Sequence, residues 1–173
     1  ISRVLEGPLQ APHVLSHGYH PVSTTGLPRF TQSTLHGEYP FATVDLQDDS
    51  LPINVQLEAY TPLIPLNPED SGIPCTILTY TVTNTSQEKL NLTLAGSIIN
   101  PVGGLQFDKY GNIASSRVGK TVNESRDEDN LRGLYMSAEG VASDDLDYGS
   151  MALVTDHDQV TIKQEWMRGA WFD

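Results

Sequence analysis

Residues 53–60 read INVQLEAY, an uninterrupted alternation of apolar and polar side chains that decides the fold class of this chain. Successive side chains of a β-strand point to opposite faces, so every second residue from Ile53 lies on one face and every second residue from Asn54 on the other. The predicted apolar face consists of Ile53, Val55, Leu57 and Ala59. We expect a strand here with that face in the hydrophobic core.

Strand patterns of the same kind recur on both sides of this stretch. Residues 75–84 are rich in the β-branched and aromatic residues that suit a half-buried pleat. The face predicted to be buried holds Leu78, Tyr80 and Val82. A period-two apolar repeat follows at residues 90–99 after a polar connection, so we expect the two segments to be antiparallel neighbours. Shorter patterns predict further strands at residues 42–46, 131–138, 150–154 and 160–166.

The rest of the chain has the composition of turns and irregular connections. Helical apolar spacing is nearly absent, whereas proline, glycine, asparagine and aspartate cluster between the strand candidates. The turn segments are residues 65–72, 100–104 and a polar stretch at 120–130. Short strands without helical spacers predict an all-β protein, namely an antiparallel β-sandwich or part of a larger one. We expect residues 1–173 to form a single such domain or fragment, with residues 1–34 as a proline-rich irregular lead-in.

Charge and composition exclude several classes of function. Ten Lys and Arg against 22 Asp and Glu give a formal net charge of −12, which argues against a nucleic-acid partner because phosphate binding needs clustered cations. No long apolar run is present, so we expect no membrane span. The single cysteine, Cys75, excludes an intrachain disulfide and a zinc site built from cysteines.

Acidic runs and histidines are the candidates for metal binding. The acidic runs lie at residues 48–49, 127–129, 144–147 and 156–158. They lack the spacing of a calcium-binding EF-hand loop, so solvated loop charge is the favoured interpretation. The spacing of His17 and His20 would suit a metal on a helix, but the neighbouring Gly18 and Pro21 disfavour a helix. We therefore expect loop histidines, no metal and no cofactor.

Glycoside hydrolysis needs two carboxylates flanking one bond. The candidates in or beside predicted strands are Glu38, Asp45, Glu58 and Glu165. Each is more simply an outward-facing strand residue or a structural acid, and we expect none to be catalytic. Four aromatic residues are candidates for stacking on a sugar ring or for filling a seam between domains. They are Tyr39, Trp166, Trp171 and Phe172.

Several sequence blocks in a fixed order carry a resemblance to a known family. Residues 35–42 read LHGEYPFA, residues 51–65 read LPINVQLEAYTPLIP, and residues 70–74 read DSGIP. The series continues with YTVTN at 80–84, NPVGG at 100–104 and WMRGAWFD at 166–173. These blocks resemble the N-terminal domain of glycoside hydrolase family 116, which includes the non-lysosomal glucosylceramidase, also called bile acid β-glucosidase. The motif residues are His36, Gly37, Glu38, Tyr39, Pro40, Asp70, Ser71 and Pro74.

The resemblance implies a β-sandwich packed against a C-terminal (α/α)6 barrel that holds the catalytic Glu nucleophile and Asp acid/base. Family members are retaining β-glycosidases of glucosides, xylosides or related sugars. The expected partners are therefore the barrel of the same enzyme and the carbohydrate substrate of the parent. The chain starts at Ile1 and stops at Asp173 within a sequence block, so we expect it to be cut from a longer protein, with the barrel absent. Bare sheet edges would allow self-association.

Two other functions stay open at this point. A self-contained carbohydrate-binding module would bind a glucan or glycoside through Trp166, Trp171 or a tyrosine platform. A cell-surface sandwich used for protein contacts would need an intact domain with its own termini, which the abrupt ends disfavour.

Overall fold

The computed structural model describes residues 1–8, 27–107, 109, 113–116 and 119–165. Within these residues, nine β-strands make up nearly all the regular structure, and the single helix has four residues. The strands pair in antiparallel fashion, which confirms the predicted all-β class and is the pairing expected in an antiparallel β-sandwich. No helix in the described part has the length and apolarity needed to cross a membrane. The chain divides into two compact units, Ile1–Leu92 and Thr93–Asp173.

The first unit is built on a four-stranded sheet in which neighbours along the chain are neighbours in space. Its elements are β1 (Gln32–Glu38), β2 (Phe41–Gln47), β3 (Ile53–Tyr60), α1 (Pro68–Ser71) and β4 (Ile77–Asn84). The strand predicted at residues 53–60 is confirmed to the residue as β3. Its register sets Leu57 between Val44 and Tyr80, whereas the adjoining row, centred on Gln56, lies on the opposite face. One face of the sheet is therefore apolar and the other is polar.

The hydrophobic core of this unit lies on the apolar face. Phe30, Leu46 and Val55 are buried there, which confirms the predicted inward face of β3. The partly buried residues packed against them are Leu5, Val44, Leu51, Ile53 and Tyr80. No sequence pattern marked Phe30, because it lies outside any period-two run. Its amide donates a 3.0 Å hydrogen bond to the Glu6 carbonyl, which holds the first residues of the chain to those just before β1.

Three features of this unit differ from the predictions. The strand predicted at residues 90–99 is not formed. An apolar alternation becomes a strand only when another strand pairs with it. Leu92 in this segment is more than half exposed. Leu78 is 51% exposed, so it is not a core residue. The reason is that β4 lies at the edge of this sheet, whereas the core is centred on β2 and β3. Finally, β1 begins at Gln32, within the last residues of the predicted lead-in.

The second unit contains a two-stranded and a three-stranded antiparallel sheet. Its strands are β5 (Leu105–Phe107), β6 (Ile113–Ser116), β7 (Lys120–Glu128), β8 (Leu131–Glu139) and β9 (Met151–Thr155). They pair as β5-β6 and as β7-β8-β9, and the predicted strands at 131–138 and 150–154 are confirmed as β8 and β9. The strand predicted at 160–166 is wrong for residues 160–165, which are irregular and pair with no strand of the described chain.

Strand β7 corrects the prediction that residues 120–130 are a polar turn. Glu128 pairs with Leu131, which leaves Asp129 and Asn130 as a two-residue hairpin loop with φ angles of 51° and 68°. Positive φ at both central positions is the geometry of a type I′ turn, which matches strand twist and suits Asp and Asn. Because β7 is an edge strand with mostly exposed side chains, no apolar alternation marks it in the sequence.

A buried amide holds the segment 100–104 against β7 and β8. Asn100 is only 9% exposed, and its Nδ2 donates hydrogen bonds to the carbonyls of Val122 (3.1 Å) and Ser137 (3.0 Å). Its Oδ1 accepts a 2.9 Å hydrogen bond from the Val102 amide. One side chain thus joins two strands and closes its own turn. The segment that reads as simple turn chemistry is a structural anchor of this unit.

Candidate interdomain and sugar-contact surface

The motif at residues 36–40 forms the end of β1 and the loop of the β1–β2 hairpin. Glu38 pairs with Phe41, which leaves Tyr39 and Pro40 as a two-residue loop joined by a cis peptide bond. A cis-proline in this place defines a type VI turn. The loop presents Tyr39 to solvent at 84% exposure. A predicted aromatic contact residue therefore lies at the tip of a well-formed hairpin.

An aromatic pair lies at the base of this hairpin loop. Phe41 opens β2 and Tyr60 closes β3, and the two residues are register partners. Their ring centroids are 5.2 Å apart and the ring planes are tilted by 46°, within the range that favours aromatic pairs. Nearly half of Phe41 remains exposed. The pair can therefore contact a sugar ring or another apolar surface.

The motif residues Asp70 and Ser71 lie in the connection between β3 and β4. Asn67 caps α1, and its Oδ1 accepts a 3.1 Å hydrogen bond from the Asp70 amide. The Ser71 hydroxyl accepts a 2.9 Å hydrogen bond from the Ile64 amide and donates one of 3.0 Å to the Ile64 carbonyl. Pro74 follows the helix, where it cannot extend the helical hydrogen bonding. Asp70 and Ser71 therefore organise this loop through their hydrogen bonds.

The polar face of the same sheet holds three of the four candidate carboxylates. On β2, Asp45 accepts a 2.8 Å hydrogen bond from Gln56 Nε2 and lies 3.3 Å from His36 Nε2. Glu58 on β3 lies on the same face, diagonal to Asp45. Glu38 lies at the end of β1, on the other side of β2. Among the described residues this face is open, and its side chains can form hydrogen bonds to hydroxyl groups.

The remaining candidates are dispersed or lie outside the described residues. Glu165 is exposed and belongs to no strand. The candidates outside the described residues are Trp166, Trp171, Phe172, His17 and His20. Across the part of the chain that the structure describes, no three His, Cys, Asp or Glu side chains are placed to hold a metal ion.

A cleft of about 540 Å³ lies where the first residues of the chain meet the loop after β2. Arg3 Nε donates a 2.8 Å hydrogen bond to Asp48 Oδ2, and Ser50 donates to Oδ1 from its hydroxyl (2.6 Å) and its amide (3.0 Å). The hydrogen bond from the Ser50 hydroxyl and then that from Arg3 lower the pKa of Asp48 to about 2. Arg3, Asp48 and Ser50 satisfy one another's hydrogen-bonding groups, so they form a structural joint at this cleft.

Sequence reasoning treated Asp48 as solvated loop charge and so missed this joint. A usable signal was present in the Asp-x-Ser spacing of Asp48 and Ser50, because an aspartate often accepts hydrogen bonds from the residue two positions ahead. The arginine partner was not predictable in this way, because it lies 45 positions away in the sequence.

A protein-family model matches nearly the whole length of this chain. Residues 3–171 match the family model described as beta-glucosidase 2, glycosyl-hydrolase family 116 N-term. The matched range contains the hairpin motif, the β3–β4 connection and the Asn100 anchor. No curated protein matches this chain.

Proposed function

This chain belongs to the N-terminal domains of glycosyl-hydrolase family 116, and we propose that it is the accessory β-sandwich domain of a retaining β-glycosidase. The substrates of the parent enzyme are β-glucosides or related sugars. A C-terminal (α/α)6 barrel supplies the catalytic carboxylates and is the main partner of this domain. The single observation that carries the proposal is the family match over residues 3–171.

The surroundings of the carboxylates support a non-catalytic role for this chain. A glycosidase needs one acid whose pKa is raised by an apolar, enclosed site. Glu38 and Glu58 are exposed, and Asp45 is held by His36 and Gln56 on an open sheet face. These groups suit binding and positioning rather than proton transfer to a leaving group.

Activity measurements on two proteins test this proposal. The 173-residue chain and the full-length enzyme are assayed with an aryl β-glucoside. We expect turnover by the full-length enzyme only. In that enzyme, Glu38→Gln and Glu58→Gln should change kcat less than about threefold, whereas removal of a catalytic carboxylate costs several orders of magnitude. Turnover by the isolated chain that is lost in Glu58→Gln would place catalysis here and reject the proposal.

A second function, carbohydrate binding by the chain itself, is favoured by the aromatic pair beside the polar sheet face. Phe41 offers a ring to stack on a sugar, and Gln56 and Glu58 offer hydrogen-bonding groups on the same face. Isothermal titration with β-glucan oligosaccharides measures this directly. Binding that is weakened by Phe41→Ala would support it, and the absence of heat at millimolar sugar would reject it.

Self-association is a further proposal that concerns the isolated chain. Within the described residues, β1 and β4 each pair on one side only, and a bare strand edge can recruit another strand. Light scattering during gel filtration provides the test. A monomer at all concentrations would reject this proposal.

A further inference from the structure

One end of the four-stranded sheet carries an exposed apolar surface, here named the apolar tip. Its members are Tyr39, Phe41, Leu63, Ile64, Leu66 and Ile73, each of them more than two-fifths exposed. Single exposed apolar residues are common on protein surfaces, whereas a group of large ones marks an interaction site.

Strand register brings these residues to the same end of the sheet. Tyr39 is in the β1–β2 loop, next to Phe41, and Phe41 is the partner of Tyr60. Tyr60 in turn is the partner of Ile77. The connection that contains Leu66 leaves the sheet after Tyr60 and returns at Ile77, so it projects from the end where the hairpin loop lies.

The connection is held in shape by its own hydrogen bonds. The Ser71 hydroxyl bonds both the amide and the carbonyl of Ile64, and the Asn67 amide donates a 3.0 Å hydrogen bond to the same carbonyl. Leu66 has a φ of 65°, a conformation that costs free energy for a residue with a Cβ atom, and its side chain is fully exposed. The loop therefore holds Leu66 in a strained conformation. Its side chain exposes apolar area to solvent and buries none against its own domain.

The core of this unit does not explain the tip. The exposed residues Leu35, Leu78 and Val82 lie on the apolar face of the sheet, beside the buried core. These three residues are exposed because they lie at the margin of that core. The tip residues instead lie at and beyond the strand ends, where the apolar face of the sheet stops.

We propose that the apolar tip docks on the catalytic domain of the same polypeptide, and this rests on the proposed function. The family match is to an N-terminal domain, so a further domain of the enzyme adjoins this one and is covalently held near it. Glu38 and Glu69 are exposed at the rim of the tip. The matching surface of the catalytic domain is therefore apolar at its centre and carries Lys or Arg at its edge.

Cysteine labelling of the full-length enzyme tests the docking. Leu66→Cys and the matched control Leu146→Cys replace two leucines that are both fully exposed in this domain. Both variants carry Cys75→Ser, because the natural thiol of this domain is exposed and would also react. Each variant is pulsed with a maleimide under native conditions, and the modified peptides are quantified by mass spectrometry. We expect Leu66→Cys to react at least about tenfold more slowly than Leu146→Cys, and both to react equally fast in urea. Equal native rates would overturn the proposal.

The same measurement identifies other occupants of the tip. Protection that disappears on dilution would mean a second copy of the chain, and protection that appears only with added β-glucoside would mean a sugar; either result overturns the proposal. Activity on an aryl β-glucoside is recorded in parallel. Protection in an enzyme without glycosidase activity would reject the proposed function while keeping the docking.

A second variant guards against a folding defect. Leu66→Asn introduces a residue that tolerates positive φ, so the loop retains its shape while the apolar contact is lost. We expect amide exchange near Tyr39 to accelerate about tenfold in full-length Leu66→Asn and to be unchanged in Leu146→Asn. No change in either variant would overturn the proposal.

Discussion

Each of the two units is stabilised internally by a different kind of interaction. In the first, the buried side chains Phe30, Leu46 and Val55 form an apolar cluster on one face of a sheet. In the second, the amide of Asn100 ties a loop to two strands, and the buried apolar residues are Val102 and Met136. The first unit should therefore respond mainly to lost volume and the second mainly to lost hydrogen bonds.

The largest effect is expected from a cavity in the first unit. Leu46→Ala should lower the free energy of unfolding of this unit by about 2–5 kcal/mol, because it removes buried methyl groups and leaves a void. Leu78→Ala is the matched control and should cost less than about 1 kcal/mol, since Leu78 is half exposed. Urea denaturation monitored by amide exchange in β3 measures both. Equal costs would mean that the core is not centred on β2.

The corresponding change in the second unit is Asn100→Ala. It leaves strand carbonyls and a loop amide without this partner, which should cost about 1–3 kcal/mol, read out by amide exchange in β8. Asn91→Ala removes the same amide from an exposed position and should change stability by less than about 0.5 kcal/mol. A loss confined to β3 rather than β8 would contradict the comparison between the units.

Acid should affect the first unit through Asp48. Its pKa is about 2 in the folded chain, below the ordinary value of 3.8, so its contribution is fully present above about pH 4 and is lost as the pH falls through about 2. The melting temperature of the first unit should therefore fall less steeply between pH 5 and pH 2 in Asp48→Asn than in the wild type. Identical slopes in thermal scans would show that the Arg3–Asp48–Ser50 joint contributes nothing.

The smallest effect is expected at the β7–β8 turn. Asn130 has a φ of 68°, so Asn130→Gly should raise the free energy of unfolding by less than about 1 kcal/mol, whereas Asn130→Val should lower it by about 1–2 kcal/mol. Urea midpoints of the two variants provide the comparison. If both variants shift the midpoint alike, the turn does not have the left-handed geometry.

Patterns with a period of two were reliable where a partner strand exists. β3 matches its prediction at both ends, and β8 and β9 match theirs within about one residue, because alternation reports a half-buried face. The alternation at residues 90–99 was no different in kind, yet it forms no strand. Conversely, β7 showed no alternation and is a nine-residue strand, since its hairpin with β8 specifies it.

The candidate surface was predictable in its parts but not in its assembly. The sequence singles out Tyr39 as a candidate contact residue, and the structure places it at high exposure in the hairpin loop formed by the motif residues around it. The grouping of Tyr39 with Leu66 could not be foreseen, because it depends on the register between β2 and β3 and on the course of the next connection. The Ser71 bond to Ile64 that shapes this connection has no distinctive sequence signal either.

Local sequence patterns were enough to identify the all-β class, the strand β3 and the family, because alternation, turn chemistry and motif order are properties of neighbouring residues. The tertiary structure decided which alternating segments found partners, and it selected Phe30 and Asn100 as buried anchors. It also paired Arg3 with Asp48 across the unit. The physical reason is that burial and hydrogen-bond satisfaction depend on groups brought together from distant positions, which no local pattern records.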